Sequence, residues 1–363
     1  MPGSLNTFCN GLFRELTERE GYEVVAISSP GCKLDEISKR EGVKTIAVPM
    51  ERHISPIKDI KSLIKLIRVF RREKPDMVHS ITPKAGLLSM IAGWLCRVPI
   101  RLHTFTGLVF PTATGLKQKI LILTDKITCA CATHIVPEGD GVRNDLITYK
   151  ITKKPLKVLG HGNVRGIDLE RYDPALFTNP KPAAFTFVFI GRLVRDKGIN
   201  ELVAAFARLH VKHPATHLVL VGGEEHELDP LDTATLAEIE RNSAIEAVGQ
   251  QADVRPWLAG AHALVFPSYR EGFPNVVIEA GAMGLPSIVT DINGSREIVI
   301  EGQNGVIVKP RDQEALLQAM ERFVKNPDEV EKMGRNARPL IASRYEQNFV
   351  RQCLKDYYKE ISK

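Results

Sequence analysis

Short apolar runs alternate with longer segments of helical periodicity along almost the whole chain. Many of these runs are continuous rather than alternating, which is typical of strands buried on both faces of a parallel sheet. Repeated strand–helix pairs predict doubly wound α/β units. The predicted strands are residues 24–29, 45–49, 77–81, 101–105, 134–137 and 158–161 in the first half, and 185–191, 217–221, 245–249, 263–267, 287–290 and 306–309 in the second.

Two sets of strands and helices predict two sheets, and therefore two domains. A chain of 363 residues fits this organisation, because single domains usually span about 100–200 residues. Residues 166–182 are rich in Gly, Pro, Asn and Asp, which is typical of a connecting segment. We therefore predict a first domain over residues 1–168, a second over 169–345, and an amphipathic helix over 346–363 that packs back on the first domain.

The first domain opens on a helical pattern rather than on a strand. A doubly wound domain normally begins with a strand in the middle of its sheet. The helical spacing is shown by Leu5, Phe8, Leu12, Phe13 and Leu16. We therefore expect that the first strand is missing, either because the reading frame begins upstream of Met1 or because the chain is truncated.

Composition narrows the class of protein. Apolar residues make up 44% and charged residues 25% of the chain, which is an ordinary balance for a globular protein. The net charge of +6 is compatible with an anionic ligand or an anionic membrane surface. Without a nucleic-acid motif, that charge is too small to predict nucleic-acid binding. Scattered cysteines and the lack of a signal peptide or a long apolar run predict a cytoplasmic location with reduced thiols.

One segment after the predicted strand 263–267 carries two carboxylates eight positions apart. Glu271 would lie in the loop after the strand, and Glu279 on the following helix. Pro274 suits the first turn of that helix, and Gly272 permits close approach of a ligand to the backbone. The helix start would bind an anion, and Glu279 could accept two hydroxyl hydrogen bonds from a ribose. The whole Glu-Gly-Phe-Pro-Asn sequence favours this function over two surface glutamates beside a structural turn.

A second segment places two cations directly after the first predicted strand of the second domain. Gly191, Arg192 and Lys197 belong to the run Gly-Arg-Leu-Val-Arg-Asp-Lys-Gly. The forked donors of Arg and the point charge of Lys can together neutralise a diphosphate. Open α/β sheets bind ligands at the carboxyl ends of their strands, which favours this function over a solvated basic loop.

Together the two segments resemble the retaining glycosyltransferases of the glycogen-synthase-like superfamily, which have the GT-B fold. The Gly-Arg-Leu and Lys-Gly sequences and the Glu-x7-Glu motif occur in the family's order, and the resemblance covers nearly the whole chain. Residues 79–86, 103–107 and 269–275 further resemble the bacterial branch that builds surface polysaccharides and lipid-linked glycans. The resemblance implies an α/β protein with two doubly wound Rossmann-like domains that face each other across a cleft.

The resemblance also implies roles for particular residues. Arg192 and Lys197 would bind the donor diphosphate and stabilise the leaving group, and Glu279 would hold the ribose. Glu271 and backbone N–H groups around Phe273 to Asn275 would hold hydroxyls of the transferred sugar. The predicted catalytic residues are His103, Arg192, Lys197 and Glu271. The predicted donor-binding residues are Gly191, Arg192, Lys197, Gly249, Gly272, Phe273, Pro274, Asn275 and Glu279.

The first domain supplies the acceptor side in the same resemblance. His103 would approach the donor sugar, although a lone histidine at a strand end is more often structural. His79 and Lys84 are acceptor-side candidates, and the loop at residues 2–5 would normally face the donor phosphates. The chain contains no Asp-x-Asp sequence, so we expect no metal, and no cofactor apart from the nucleotide-sugar substrate.

Residues 57–74 form the best candidate for a membrane or acceptor surface, whose basic face would meet lipid headgroups or an acceptor diphosphate. A basic amphipathic helix can dock on anionic lipid. The alternative is a helix that buries its apolar stripe on the sheet and leaves a basic face in water. We expect the stripe itself to be buried. The stripe consists of Ile57, Ile60, Leu63, Ile64 and Ile67.

The sequence therefore predicts a retaining, metal-independent glycosyltransferase. Its donor would be a nucleotide diphosphate sugar, such as a UDP-N-acetylhexosamine. Its acceptor would be a glycan, polysaccharide or polyprenyl-diphosphate-linked sugar, with peripheral contact at the inner face of the cytoplasmic membrane as an open alternative. A nucleotide-sugar 2-epimerase and a catalytically inactive partner subunit are the competing readings.

Overall fold

The computed structural model describes residues 5, 9–51, 55–178, 181–225 and 229–363. The chain divides into two units. Unit 1 consists of Met1–Gly166 and Asn348–Lys363, and unit 2 consists of Ile167–Gln347. The predicted loop at residues 2–5 lies outside the described residues except for Leu5.

Unit 1 is a parallel α/β unit whose described strands form two sheets. Strand β1 pairs with β2 in one sheet, and β3, β4 and β5 form the other in that order. Its elements are α1 (Leu12–Glu18), β1 (Val25–Ser28), α2 (Cys32–Glu41), β2 (Lys44–Ala47), α3 (Pro56–Glu73), β3 (Met77–Ser80), α4 (Pro83–Leu95), β4 (Ile100–Phe105), α5 (Gly115–Cys131), β5 (His134–Pro137) and α6 (Asp140–Thr148). The last helix of the chain, named below, completes this unit.

Unit 2 has one six-stranded parallel sheet in its described part, with the order β11-β10-β9-β6-β7-β8. Its elements are β6 (Phe185–Ile190), α7 (Ile199–Lys212), β7 (Thr216–Val221), α8 (Thr233–Arg241), β8 (Ile245–Gly249), α9 (Arg255–Ala259), β9 (Ala263–Phe266), α10 (Asn275–Ala282), β10 (Ser287–Thr290), α11 (Ser295–Ile298), β11 (Gly305–Val308), α12 (Gln313–Lys325) and α13 (Pro327–Tyr345). The chain then re-enters unit 1 through α14 (Gln347–Ile361).

The strands of unit 2 are buried because helices cover the sheet. All four residues of β9 and of β10 are buried, which explains why these runs read as continuously apolar. One large core cluster joins the six strands to helices α7, α10 and α12. The carboxyl ends of all six strands lie at one edge of the sheet, because every pairing is parallel.

The predicted strand at residues 158–161 is wrong. Gly160 and Gly162 have φ values of 55° and 84°, in the left-handed region that glycine adopts readily. The backbone N–H of Gly162 donates to the carbonyl of Leu159 at 3.0 Å, which closes a turn. The extended contact lies earlier, where Leu156 forms an isolated bridge with Ile135 of β5.

The expectation that the apolar stripe of residues 57–67 is buried is wrong for three of its five residues. Leu63 and Ile67 are partly buried and pack against the core of unit 1. Helix α3 ends at Glu73, with Lys74 as its C-cap, and its most buried face is rotated relative to the predicted stripe. Its buried residues are Ser62, Leu66, Val69 and Phe70. Ile57, Ile60 and Ile64 are exposed. Leu66, Val69 and Phe70, together with the partly buried Leu63 and Ile67, supply the face that meets the core.

Candidate active site

The candidate site in unit 2 lies where the strand order reverses. From β6 the chain builds outwards through β7 and β8, and then returns to build β9, β10 and β11 on the other side. Open α/β sheets bind ligands outside the carboxyl ends of the two strands that flank such a point. Here those strands are β6 and β9. The loops that follow them carry the two segments singled out from the sequence.

Glycines allow the strand ends around this point to approach each other closely. The N–H of Gly191, after β6, donates to the carbonyl of Val221 at 2.9 Å. A Cβ atom on Gly222 would lie 2.7 Å from the carbonyl carbon of Gly191. The N–H of Gly222 in turn donates to the carbonyl of Gly249 at 2.9 Å. Gly191 and Gly249 were predicted donor-site residues, and Gly222, which sequence reasoning missed, is packed between them.

A short turn brings Lys197 to the end of β9. Gly198 has a φ of 71°, and a Cβ atom there would lie 2.9 Å from the carbonyl carbon of Pro267. Only glycine therefore lets the β6 loop pack so closely on the residue that follows β9. This contact directs the ammonium group of Lys197 to 5.2 Å above the ring of Phe266.

Lys197 and Glu271 form an ion pair at this position. Their side chains are 18% and 17% exposed, so the pair is partly shielded from water. The hydroxyl of Ser268 donates to Oε1 of Glu271 at 3.0 Å and fixes the carboxylate. The structure thus brings together two predicted catalytic residues that are 74 positions apart in the chain. Ser268 was not predicted, although its place directly after a buried strand was a signal.

The other charged groups of these loops are also paired. The pairs are Arg192 with Glu225, Arg270 with Asp196, and Arg195 with Asp232. Arg192 lies on the same loop as Lys197, but its guanidinium contacts Glu225. An anionic ligand that binds these cations would therefore displace their carboxylate partners. Such exchange is inexpensive at an exposed surface, where an ion pair contributes only ~0–1 kcal/mol.

Helix α10 begins beside the ion pair. Pro274 precedes its first residue, Asn275, as the sequence predicts. A Cβ atom on Gly294 would lie 2.5 Å from the carbonyl oxygen of Gly272 and 2.7 Å from Cα of Phe273. The turn after β10 thus packs directly on this segment and holds it.

Two predicted donor-binding side chains of this segment lie inside unit 2. Glu279 is buried on α10. Phe273 is buried against Tyr345, with the ring centroids 5.5 Å apart. The part of Phe273 available to a ligand is therefore its backbone.

The predicted residues of unit 1 lie on β3, β4 and α4. His103 is fully buried, and its Nδ1 is 2.8 Å from the hydroxyl of Ser80. Its ring lies against Gly86, where a Cβ atom would be 2.7 Å from Nδ1. Burial, together with the neighbouring His79, lowers the pKa of His103 to about 3. His103 is therefore neutral at physiological pH and can exchange hydrogen bonds but carries no charge.

The two acceptor-side candidates have partners inside unit 1. Nδ1 of His79 is 2.6 Å from the hydroxyl of Tyr358 on α14, and its Nε2 is 2.8 Å from the hydroxyl of Thr104. Burial lowers the pKa of His79 to about 4. Lys84 pairs with Asp59 of α3 at 2.8 Å. Contact of either residue with an acceptor stays a prediction.

Two features bear on metals and membranes. Within residues 5, 9–51, 55–178, 181–225 and 229–363, no group of three or more His, Cys, Asp or Glu side chains is arranged to hold a metal ion. None of the helices in that part of the chain is both long enough and apolar enough to span a bilayer.

Comparison with known families matches both units. The model described as "Glycosyl transferases group 1" matches residues 177–339. The model described as "Glycosyl transferase 4-like domain" matches residues 3–162. The two matches correspond to unit 2 and to most of unit 1.

Individual relatives match over nearly the whole chain. The capsular polysaccharide biosynthesis glycosyltransferase CapM of Staphylococcus aureus is 31% identical, over 96% of this chain and 93% of CapM. The UDP-Gal:alpha-D-GlcNAc-diphosphoundecaprenol alpha-1,3-galactosyltransferase of Escherichia coli is 28% identical, over 95% of this chain and 90% of that enzyme. The crystal structure of Anabaena Alr3699/HepE in complex with UDP superimposes with a TM-score of 0.78 at 15% identity, covering 96% and 95% of the two chains.

These matches and the parallel α/β units confirm the predicted fold class, which is GT-B. The chain belongs to the family of glycosyl transferases group 1 and is a glycosyltransferase.

Proposed function

We propose that this glycosyltransferase moves a sugar from a UDP-linked donor, such as a UDP-N-acetylhexosamine, to a lipid-linked or polysaccharide acceptor. Transfer would retain the anomeric configuration and need no metal. The observation that carries the proposal is the Lys197–Glu271 pair at the point where the sheet of unit 2 reverses its strand order. The transfer would take place in the cytoplasm, at the inner face of an anionic membrane.

The donor diphosphate would take the place of carboxylates at the site's cations. Lys197 and Arg192 are each paired with a glutamate, so phosphate oxygens can replace Glu271 and Glu225 as their partners. Once Glu271 is released from Lys197, its carboxylate would still accept the hydrogen bond of Ser268. It could then also accept hydrogen bonds from hydroxyls of the transferred sugar. Glu279 is buried further along α10, and its carboxylate would accept hydrogen bonds from the ribose hydroxyls.

The chemical step needs stabilisation of negative charge on the departing diphosphate. The bond between the anomeric carbon and the phosphate oxygen breaks, and the acceptor oxygen bonds to the same face of that carbon. The acceptor proton passes to the departing phosphate oxygen. Fixed cations placed where charge develops lower the barrier for such a step, because they need no reorganisation during the reaction. Arg192 and Lys197 would supply this charge.

His103 would act as a neutral hydrogen-bonding group. Its low pKa excludes a role as a charged acid near neutral pH. Ser80 engages Nδ1, and Gly86 gives the ring its space. We propose that His103 positions a hydroxyl of the donor sugar.

The relatives support the choice of donor and acceptor. CapM is named for capsular polysaccharide biosynthesis, and the Escherichia coli enzyme for transfer of galactose from UDP-Gal to a diphosphoundecaprenol-linked sugar. Alr3699/HepE has been crystallised with UDP and with UDP-glucose. The same chemistry is proposed for this chain, with the identity of the sugar left to the experiment.

The test is a reaction with a panel of nucleotide sugars and a short-chain polyprenyl-diphosphate sugar as acceptor. Product analysis by NMR is expected to show a new glycosidic bond with the donor's anomeric configuration, and chelation of divalent ions is expected not to reduce the rate. An inverted product would overturn retention, and loss of activity on chelation would overturn metal independence. Release of a 2-epimeric sugar would establish the epimerase. No turnover with any donor would favour an inactive partner subunit.

A further inference from the structure

The loop after β6 and the loop after β9 in unit 2 are joined by contacts other than the Lys197–Glu271 ion pair. The backbone N–H of Tyr269 donates to the carbonyl of Asp196 at 2.9 Å. The guanidinium of Arg270 pairs with the carboxylate of the same Asp196 at 2.8 Å. Successive residues of the β9 loop therefore bind successive residues of the β6 loop, which fixes the register between the two.

A further contact joins the same two segments through helix α7. Glu201 lies in the first turn of that helix, shortly after Lys197 in the chain. Its Oε1 accepts a hydrogen bond from the hydroxyl of Tyr269. Burial, and then this hydrogen bond, raise the pKa of Tyr269 above 10. The hydroxyl therefore keeps its proton and remains a donor at physiological pH.

The carboxylate of Glu201 is incompletely satisfied. Its Oε2 is inaccessible to solvent and accepts no hydrogen bond from the residues that the structure describes. A desolvated carboxylate oxygen without a donor costs free energy, and an apolar residue would avoid that cost. The stability of the fold alone therefore does not explain a glutamate here. Polar groups that cost stability are expected at functional sites.

The ring of Tyr269 has a partner that does not involve its hydroxyl. The guanidinium of Arg311, between β11 and α12, lies 4.6 Å from the centroid of the ring. Phenylalanine at position 269 would keep this cation–π contact, because the contact depends on the face of the ring. Tyr269→Phe is therefore expected to remove the hydrogen bond to Glu201 and to leave the ring in place.

The proposed function makes the hydrogen bond between Tyr269 and Glu201 important during donor binding. When a diphosphate displaces Glu271 from Lys197, one of the contacts between the two loops is lost. The bond from Tyr269 to Glu201 uses neither Lys197 nor Glu271 and can persist. Lys197 would then bind the phosphates while Glu271 binds the sugar, so their relative position decides whether the anomeric carbon is aligned for transfer. Small misplacements of such groups reduce rates strongly.

We propose that Tyr269 and Glu201 are positioning residues, which hold the β6 and β9 loops in register while the donor diphosphate occupies Lys197. They act through Lys197 and Glu271 and need no contact with the donor. This inference rests on the proposed function, because it requires that a diphosphate take the place of Glu271 beside Lys197.

The first experiment separates turnover from binding. Tyr269→Phe is expected to lower kcat about tenfold and to change the Kd of UDP by less than about twofold, because the mobile Lys197 still reaches the phosphates while its alignment with Glu271 is lost. The control is Tyr345→Phe, which removes a hydroxyl that donates to the carbonyl of Glu297 at 3.1 Å in the same unit. It is expected to keep the wild-type kcat. Equal losses of kcat in the two variants would overturn the proposal.

The second experiment separates positioning from stability. The double variant Tyr269→Phe/Glu201→Leu replaces both polar partners by apolar groups, which is nearly neutral or stabilising for a buried pair. Its melting temperature is expected to equal or exceed that of the wild type, while kcat stays about tenfold lower. Recovery of kcat together with the melting temperature would show a merely structural role. Glu201→Gln keeps an acceptor for the hydroxyl of Tyr269 and is expected to keep most of the activity. A loss as large as that of the double variant would overturn the hydrogen bond as the cause.

The third experiment requires no turnover. Hydrogen exchange of peptides that cover residues 267–275 is compared with and without UDP. In the wild type, UDP is expected to leave the protection of this segment unchanged or higher. In Tyr269→Phe/Glu201→Leu, UDP is expected to reduce it, because displacement of Glu271 then frees the loop. Equal reduction in both proteins would overturn the positioning role. A wild-type protein that binds UDP with protection retained, but transfers no sugar, would overturn the proposed function and leave the contact between the loops standing.

Discussion

At the scale of single residues, the contact between His103 and Gly86 shows how tightly unit 1 is built around a candidate catalytic group. The imidazole of His103 occupies the space that the Cβ atom of any residue other than glycine would need at position 86 of α4. Its Nδ1 is engaged by Ser80, so the ring cannot move away without breaking a buried hydrogen bond. A glycine inside a helix normally costs stability, and here close packing explains its presence.

We predict that Gly86→Ala destabilises unit 1. Alanine improves helix propensity by up to ~1 kcal/mol, but forcing an atom into a packed interior costs ~1–3 kcal/mol, so the clash should prevail. A lower melting temperature, with reduced turnover caused by displacement of His103, is expected. Gly223→Ala is the control, because a Cβ atom there meets nothing within 4 Å. A Gly86→Ala protein as stable and active as the wild type would contradict the packing argument.

Lys197 is the residue on which the proposed donor binding would depend most directly. We predict that Lys197→Ala weakens UDP binding and reduces turnover by about 10²–10³-fold, the usual effect of removing one group that stabilises developing charge. Isothermal titration with UDP and initial rates measure the two effects. Lys332→Ala, an exposed lysine on α13, serves as the control. Wild-type turnover by Lys197→Ala would remove the diphosphate assignment.

At the scale of elements, burial on both faces made the strands of unit 2 readable from the sequence. Strands β9 and β10 are wholly buried, and their apolar runs matched prediction. The turn at Gly160 was misread because its neighbours are apolar, while the left-handed glycines that break the run show no hydrophobic signal. The buried face of helix α3 was predicted only in part, because its apolar residues cover more than one face and the sequence alone does not tell which of them meet the core.

The candidate site was also predictable from the sequence only in part. Residues next to strand ends, such as Lys197 and Glu271, were selected as candidates because strand ends are where α/β sheets bind ligands. Their mutual contact depends on the order of strands in the sheet, which no local pattern encodes. Ser268 was missed because a lone serine has many structural uses, and Gly222 because its importance lies in contact with another loop.

Helix α14 is attached to unit 1 by charges as well as by apolar packing. Lys359 pairs with Glu20 at 2.7 Å, and its hydrogen bond is the main cause that lowers the pKa of that carboxyl below 4.5. A carboxyl with a lowered pKa stabilises the folded state above the pKa of the unfolded chain. That contribution is lost as pH falls through the folded value.

We therefore predict that Lys359→Met lowers the melting temperature by about 1–3 °C near pH 7 and by less as pH falls below about 4.5. The quantity to measure is the difference in melting temperature between wild type and variant at each pH. Lys363→Met, at the exposed last residue, is the control and is expected to show no such dependence. A difference that stays constant down to pH 3 would exclude the ion pair as its source.

At the scale of the whole molecule, unit 1 is formed by two separate segments of the chain. Unit 2 is inserted between the main part of unit 1 and α14, whose Tyr357 and Tyr358 pack with Leu12, Leu16 and Leu102. Amphipathic spacing indicated a final helix. The residues that this helix contacts, including His79, lie hundreds of positions away in the chain. No local sequence pattern predicts such contacts.

This arrangement makes unit 1 the acid-sensitive part of the molecule. Burial lowers the pKa of His79 to about 4 and of His103 to about 3, while the unfolded value is 6.5. Between those values the unfolded chain binds more protons than the folded one, so stability rises with pH across this window and falls on acidification. One group of unit 1 acts in the opposite direction, because burial raises the pKa of Asp125 to about 7 and the folded state then binds the extra proton. It offsets about one of the two histidines. In unit 2, His262 has a pKa lowered by burial.

We predict that lowering the pH from 7.5 to 5 reduces protection of backbone amides from hydrogen exchange more in unit 1 than in unit 2. Each of the two buried histidines should cost unit 1 on the order of 2 kcal/mol at pH 5, because 1.5 pH units below 6.5 correspond to about that energy. Exchange is followed by mass spectrometry of peptides, after correction for the pH dependence of intrinsic exchange. Strands β3 and β4, together with α14, should lose protection first, since His79 and His103 lie among them. Equal loss in β6 and β9 would mean that the two units unfold as one, and greater loss there would place the acid-sensitive groups in unit 2.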